Sequence, residues 1–454
     1  MKAYRIGSYE KKAFWDRFLD FEKENHLFDL QDEYGTYYWD IFRYEIYSLL
    51  LWEVGGVSSS QKRTVKYIIT KAFSVLYEFF KVFFLSSKAE NLFYLSSRNK
   101  IKGQYIDQNS KSVYELFSEE KKIVIESYNP KNNLKNSCFL PQRAFKIFSK
   151  KKSTIDFSFL INLLQKEFGE LPFNEVFLQK KITDYYTDFY FFSSFFKKKK
   201  ISRVFLTQNG ILKAFLRAAQ KNRIPVFEFQ HGVVDRGHLA YNYPKIDYKE
   251  GQVALPYTIL SLSPFWFNEL YLPNVKIASI GNDYFYSPLA EIASTTDSSV
   301  PESILVISSD VFGKDLSDFI LRLEKEGQVK NIPIYFKLHP NQFFEKEYYI
   351  EKLRSINNLR IITNEQSVGE LLKICNTVFA IQSTAIYEAL QANRKVILLK
   401  KMSYLRHKHI FDRKNLHLVD TTEEFISALN TKIVVDQNVA FFSPFDKEAF
   451  FEAL

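Results

Sequence analysis

Two cysteines, Cys138 and Cys375, in 454 residues are too few for a disulfide framework or a cysteine-built zinc site. With no charged-then-apolar segment opening the sequence, this points to a reducing, cytoplasmic setting. No stretch reaches the ~20 uncharged apolar residues that a spanning helix needs. The 14 glycines fall into neither a GxxxxGK[ST] loop nor a GxGxxG turn, which argues against nucleotide triphosphate hydrolysis and nicotinamide chemistry. There is no Asp-x-Asp, so a nucleotide sugar held through a metal that bridges its diphosphate is not expected. The seven histidines are too scattered for a recognisable zinc site. Neither a metal nor a cofactor is expected.

What is present is a folded composition, 46% hydrophobic and 25% charged. The length exceeds the roughly 250–300 residues at which a single core stops growing, so at least two domains are expected. The net charge of +10 comes largely from lysine, with clusters at 150–152 and 197–200. Lysine suits diffuse attraction to phosphates, anionic lipid or acidic polymer, whereas base reading favours arginine, so nucleic acid is not an expected partner. Solvated helix ends and loops are the commoner explanation of such clusters. In residues 64–85, Lys66, Lys71, Glu78 and Lys81 share one arc of a helical wheel and apolar groups fill the rest. Such a helix could lie on the inner face of the membrane, but the commoner outcome is a helix docked on its own domain.

Residues 1–90 are aromatic-rich and helical in pattern. Strand candidates follow at Asn91–Ser96, Ile123–Ser127, Val204–Thr207, Pro225–Phe229 and Thr258–Leu262, with a helical pattern at Ile211–Asn222. After the Ser- and Pro-containing stretch Ser287–Glu302, a second series runs through Ser303–Ser309, Ile332–Leu338, Leu359–Thr363, Thr377–Ile381, Lys395–Leu399 and Leu416–Val419. Helices fit at Leu316–Glu326, Glu345–Ile356, Val368–Ile374, Ala385–Ala392 and Thr422–Leu429. The alternation predicts an α/β protein: a helical segment (1–90), a Rossmann-like domain (91–285) and a second Rossmann-like domain (286–454), facing one another across a cleft.

Strand ends carry the candidate chemistry, because ligands of open α/β sheets sit outside the carboxyl ends of the strands. In Lys337-Leu-His-Pro340, Pro340 ends the strand and holds His339 extended, where it can donate to a phosphoryl oxygen while Lys337 adds charge. In Ile381-Gln-Ser-Thr384, Ser383 and Thr384 fall where a helix begins; one hydroxyl can cap and the other face a phosphate. Glu388, one turn on, could accept from ribose hydroxyls. Ser309, in Ser308-Ser-Asp310, could contact phosphate, and Gly281 could let the backbone approach a ligand or act as an ordinary turn. In the first series, Gln230-His231-Gly232 ends a strand, and His231 could serve as a general base with Gln230 beside it. Gln208, Asn209, Arg236 and His238 are candidate acceptor contacts. Each of these residues also has an ordinary structural explanation, as a strand cap, helix surface or loop charge.

With His339-Pro340 and Ser383-Thr384 in this order, the chain resembles the bacterial GT-B transferases of surface polysaccharide assembly, which carry a His-Pro and a Ser-Ser/Ser-Thr motif in the donor-binding domain. The resemblance covers roughly 255–420, and the first domain only around Gln230-His231-Gly232. It implies donor phosphate binding by His339, Ser383 and Thr384, and the role of base for His231. Polysialyltransferases and capsular Kdo transferases carry an acidic pair before the glycine, where this chain has Gln230-His231. Teichoic acid polymerases that use CDP-glycerol carry a His-Gly similar to His231-Gly232. The expected function is therefore metal-independent transfer of a sugar from a CMP-, CDP- or UDP-linked donor to a glycan or lipid-linked glycan acceptor, with possible attachment to the inner membrane surface. The alternatives are polyol-phosphate transfer, a non-hydrolysing nucleotide-sugar epimerase, or a non-catalytic scaffold of a polysaccharide assembly complex.

Overall fold

The computed structural model describes residues 14–51, 81, 85, 89–97, 99–101, 104–127, 134, 136–139, 154–294, 302–309, 311–401, 404–436 and 440–454. The amphipathic pattern at 64–85 lies outside them, apart from residues 81 and 85. The chain divides into two compact units, one comprising Met1–Ser261 with Glu269–Ala278 and Ala453–Leu454, the other Leu262–Asn268 with Ser279–Glu452.

The sheet of the first unit contains β1 (Asn91–Leu95), β4 (Lys122–Glu126), β5 (Ser137–Phe139), β6 (Arg203–Leu206), β7 (Val226–Phe229), β8 (Thr258–Ser261) and β9 (Lys276–Ser279), in the order β5-β4-β1-β6-β7-β8-β9. A separate hairpin pairs β2 (Asn99–Ile101) with β3 (Gln104–Ile106). The pairs from β5 through β8 are parallel. Every residue of β1, β4, β7 and β8 is buried, as continuous apolar runs in a parallel sheet require when helices cover both faces. Rings stack across it, Phe93 on Phe205 at 4.8 Å and Phe205 on Phe227 at 5.4 Å. Around it lie α1 (Phe14–Glu24), α2 (Trp39–Leu51), α3 (Ser158–Phe168), α4 (Glu175–Lys199) and α5 (Lys213–Lys221). Phe14, Phe18 and Phe21 of α1 meet Phe168 of α3 at 5.0–5.8 Å, so the first helix is held by an aromatic cluster.

Buried charge fastens α2 to the segment that leaves β7. Glu22 and Arg43 are fully buried and joined through two hydrogen bonds of 2.7 and 2.8 Å, and Trp39 donates to the same carboxylate. Arg43 also donates to the carbonyls of Leu239 and Asn242. Asp40 pairs with Lys213 of α5 at 3.2 Å and accepts from Tyr243 and from the Ala254 amide. The loop from Val233 to Ala254 is thereby pinned from below, even though it has no regular structure.

In the second unit β10 (Ile304–Ile307), β11 (Ile334–Lys337), β12 (Leu359–Ile362), β13 (Thr377–Ala380), β14 (Lys395–Leu399) and β15 (Leu416–Val419) form a parallel sheet in the order β12-β11-β10-β13-β14-β15. Numbered within the unit this is 3-2-1-4-5-6, the Rossmann order, with its topological switch between β10 and β13. The first unit repeats that order and switches between β1 and β6. Both units are therefore Rossmann-like α/β folds. The helices of the second unit include α6 (Asp283–Ser294), α7 (Gly313–Lys325), α8 (Lys346–Lys352), α9 (Val368–Ile374), α10 (Ala385–Gln391) and α11 (Thr422–Leu429), and Phe319, Phe379 and Phe425 meet at 4.9–5.7 Å.

The residues around Pro288 differ from the sequence expectation, because α6 occupies the first half of the stretch Ser287–Glu302. Phe285, Leu289 and Ile292 are buried at helical spacing, and the Asn282 carboxamide accepts from the Tyr284 amide at the start of the helix. That burial outweighs the local signal of proline. Among the described residues no helix is long and apolar enough to cross a membrane.

Candidate functional site

At the switch point of the second unit, β10 runs into Ser308 and Ser309, and β13 into Ile381-Gln382-Ser383-Thr384. His339 ends the neighbouring β11, and one strand separates it from the Ser383-Thr384 end, about 10 Å at ordinary strand spacing.

His339 is extended (φ −65°, ψ 146°), as a residue before proline should be, and Pro340 opens a 3-10 turn. Its ring Nδ1 accepts from the Asn341 amide at 3.2 Å. A neutral ring must then carry its proton on Nε2, which makes that nitrogen a donor. Behind it, buried Gln342 ties three elements together. Its Oε1 accepts from the Ser308 hydroxyl at 2.7 Å and the His339 amide at 3.3 Å, and its Nε2 donates to Tyr349 at 2.8 Å. Gly313 starts α7 directly against this network, where a Cβ would collide with Tyr349, Gln342 and Ser308. Gln342, Tyr349 and Gly313 carry no motif, so the sequence did not mark them.

The two hydroxyls at the start of α10 divide their tasks. Ser383 Oγ accepts from the Ala385 amide at 3.2 Å, while the Thr384 side chain takes no part in capping. Ser309 Oγ likewise accepts from the Phe312 amide at 3.1 Å; Asp310 lies outside the described residues. Glu388, half-buried one turn into α10, has its carboxyl pushed up to about 7 by burial, with Lys337 pulling the other way.

Two expectations for this unit are corrected. Lys337 spends its ammonium on the carbonyls of Thr363 and Gln366, at 2.7 and 2.6 Å, instead of presenting it beside His339. Burial lowers it to about 8, against the opposing pull of Glu365, Glu370 and Glu388. Gly281 does not stand open to a ligand. Its φ of +67° and the carbonyls of Ser443 and Pro444 packed on it explain glycine there.

In the first unit, His231 follows β7 and is half-buried. Its Nδ1 lies 3.3 Å from the Tyr241 hydroxyl, which donates to Glu228 Oε1 at 2.6 Å. Glu228 and Tyr241 are fully buried. Burial raises both pKa values, with Tyr241 opposing the rise at Glu228 and Glu228 adding to it at Tyr241. Sequence reasoning offered nothing for Tyr241, which sits in an irregular loop ten residues beyond His231.

Two neighbours of His231, Gln230 and Asn209, are corrected too. Gln230 is buried and shapes the turn, donating to the Gly232 carbonyl at 2.9 Å and accepting from Ser261 at 3.1 Å, which commits its carboxamide to the fold beside His231. Asn209 is fully buried, its amide donating to Glu228 at 2.9 Å, which removes it from any acceptor surface. Gln208 is half-buried in the left-handed region (φ 69°) at the end of β6, a costly conformation for a residue with a Cβ. Arg236 is exposed and pairs with Asp16 of α1 at 2.9 Å. The His238 ring stacks on Tyr44 at 5.6 Å and lies 4.8 Å from Tyr241.

The sequence matches no protein-family model and no curated protein. Among solved structures the chain is similar to a Methanocaldococcus jannaschii UDP-GlcNAc 2-epimerase in complex with UDP-GlcNAc and UDP, at 15% identity and TM-score 0.44, over 75% of this chain and 93% of that one. It is also similar to MnaA of S. aureus with UDP, at 11% identity and TM-score 0.43 over 75% and 87%. A third is MurG of Acinetobacter baumannii, at 9% identity and TM-score 0.36 over 75% and 82%. At such identities and scores, the fold rests on the strand order of the two sheets themselves.

Proposed function

We propose that this chain is a metal-independent glycosyltransferase of GT-B type that moves a sugar from a nucleotide-activated donor to a bacterial surface polysaccharide acceptor. The observation that carries the reading is the setting of His339, at a strand end beside the switch point of a Rossmann-ordered sheet, with Nδ1 occupied by a backbone amide so that Nε2 offers a proton. In this reading Nε2 and the Thr384 hydroxyl meet the donor phosphate and stabilise charge on the departing nucleotide. His231 takes the proton of the acceptor hydroxyl. Glu388 accepts from the ribose.

The His231-Gly232 sequence, without an acidic residue before the glycine, favours a second reading. There the donor is a CDP-polyol and the transferred group a polyol phosphate, and both histidines keep their roles.

His339→Ala and His231→Ala separate these readings from a scaffold. His339→Ala is expected to weaken donor nucleotide binding at least tenfold. His231→Ala should retain binding and lose about 10²- to 10⁴-fold in turnover, the usual contribution of a general base. A scaffold would support polysaccharide assembly in cells despite both changes, and that result would overturn the proposal.

A further inference from the structure

Two strand ends of the second sheet, Ser308 after β10 and His339 after β11, are joined by one buried carboxamide. Gln342 Oε1 accepts from the His339 amide at 3.3 Å and from the Ser308 hydroxyl at 2.7 Å. A backbone N–H can only donate, so the carboxamide cannot be turned over without setting its NH2 against that amide. Its Nε2 is thereby aimed at the Tyr349 hydroxyl of α8, 2.8 Å away. Tyr349 accepts that bond, and its own proton has Ser308 Oγ within hydrogen-bonding reach. The three groups close a ring of hydrogen bonds that runs in one direction. We infer that Tyr349 is a positioning residue that acts through Gln342 to hold His339 in register with Ser308 at the nucleotide rim, without touching the nucleotide itself.

This deepens the transferase reading and rests on it for the role of His339. Tyr349 is 1% exposed and Gln342 2%, so neither can meet a ligand directly. The Tyr349 ring packs on Phe336 of β11 at 5.4 Å, which ties the hydroxyl to the strand that ends in His339. Gly313 leaves the ring no slack, because Tyr349 Oη, Gln342 Nε2 and Ser308 Oγ converge on the point that a Cβ there would take.

The direction of the ring also separates support from contact. Ser308 has a single hydroxyl proton, and Gln342 takes it at 2.7 Å in preference to the Ser309 carbonyl at 3.5 Å, so none is left to give a phosphate. Ser308 is therefore a support of the rim, like Gln342 and Tyr349. Without the Tyr349 hydroxyl the carboxamide is free to swing, and the turn that begins at Pro340 loses the tie on the residue before it. A misplacement of about 1 Å at a phosphate ligand is enough to cost as much as 10²-fold.

The test is Tyr349→Phe in the full chain, which keeps the ring and removes only the hydroxyl, with two readouts. The first is the backbone amide signal of His339 in protein labelled with 15N-histidine, assigned by its loss in His339→Ala. It should move upfield in Tyr349→Phe, as a weakened hydrogen bond requires, while the other histidine amides stay in place. The second is the affinity for CMP, CDP, UDP and GDP by calorimetry in wild type, Tyr349→Phe, His339→Ala and the double variant. Tyr349→Phe should weaken the nucleotide that binds about 3- to 10-fold, and should cost nothing further once His339 is alanine, because it acts through that residue. An unmoved His339 amide in folded Tyr349→Phe, or the same loss of affinity in the His339→Ala background, overturns the inference. If Tyr349→Phe does not fold, Ser308→Ala opens the same ring from the other side and is held to the same two results. Should the wild type bind none of the four nucleotides, the transferase reading fails, and the amide signal alone still decides the inference.

Discussion

Glu388 shows how burial of one carboxyl couples stability to pH. Its carboxyl is raised from 4.5 to about 7 because burial disfavours the charged form more than Lys337 favours it. A group raised in the folded state contributes its stability below its unfolded pKa, and that contribution disappears as pH climbs through about 7. The second unit should therefore lose of order 2 kcal/mol between pH 5 and pH 7.5 from this group, after discounting for its partial exposure. Glu388→Gln should flatten that slope, as read by chemical denaturation at both pH values; equal slopes in the two proteins would contradict the assignment. At Gly313 an added Cβ meets three polar atoms of a packed network, so Gly313→Ala should cost about 1–3 kcal/mol and weaken nucleotide binding through Ser308 and Gln342. His339 was legible in the sequence because Pro340 dictates its backbone. The destination of the Lys337 ammonium was not, since it depends on carbonyls of Thr363 and Gln366 that only the fold brings near.

Among the elements, α2 matters more than its distance in sequence from β7 suggests. It holds the loop carrying Tyr241 through Arg43 and Asp40, both buried. Removing one partner leaves an uncompensated buried charge, so Arg43→Met should cost about 3–5 kcal/mol in thermal or chemical denaturation, and adding Glu22→Leu should recover much of it. Additive losses in the double variant would show that the pair is not coupled. Strands and helices of the second unit could be read to within a few residues, because apolar runs of four or five alternate with capped amphipathic stretches such as Ser367-Val-Gly-Glu370. The strand β9, with its exposed and half-buried residues, and α6, with its internal proline, were not legible, since tertiary packing overrode their local signals.

At the scale of the whole chain, alternation of strand and helix announced parallel sheets, and the two sheets have the Rossmann order with its switch beside the residues singled out from sequence. Strand order itself was beyond the sequence, because each crossover can pass to either side of the first strand. The claim on which the rest depends is that the rim of the second sheet binds the phosphate of a nucleotide. The most direct measurement is the thermal stability of wild type and His339→Ala with CMP, CDP, UDP and GDP. At about 100-fold excess over Kd, a bound nucleotide stabilises by about 2.7 kcal/mol. At least one of the four should raise the wild-type melting temperature by several degrees and raise that of His339→Ala by about half as much or less; silence across all four, or an equal rise in the variant, would contradict the account.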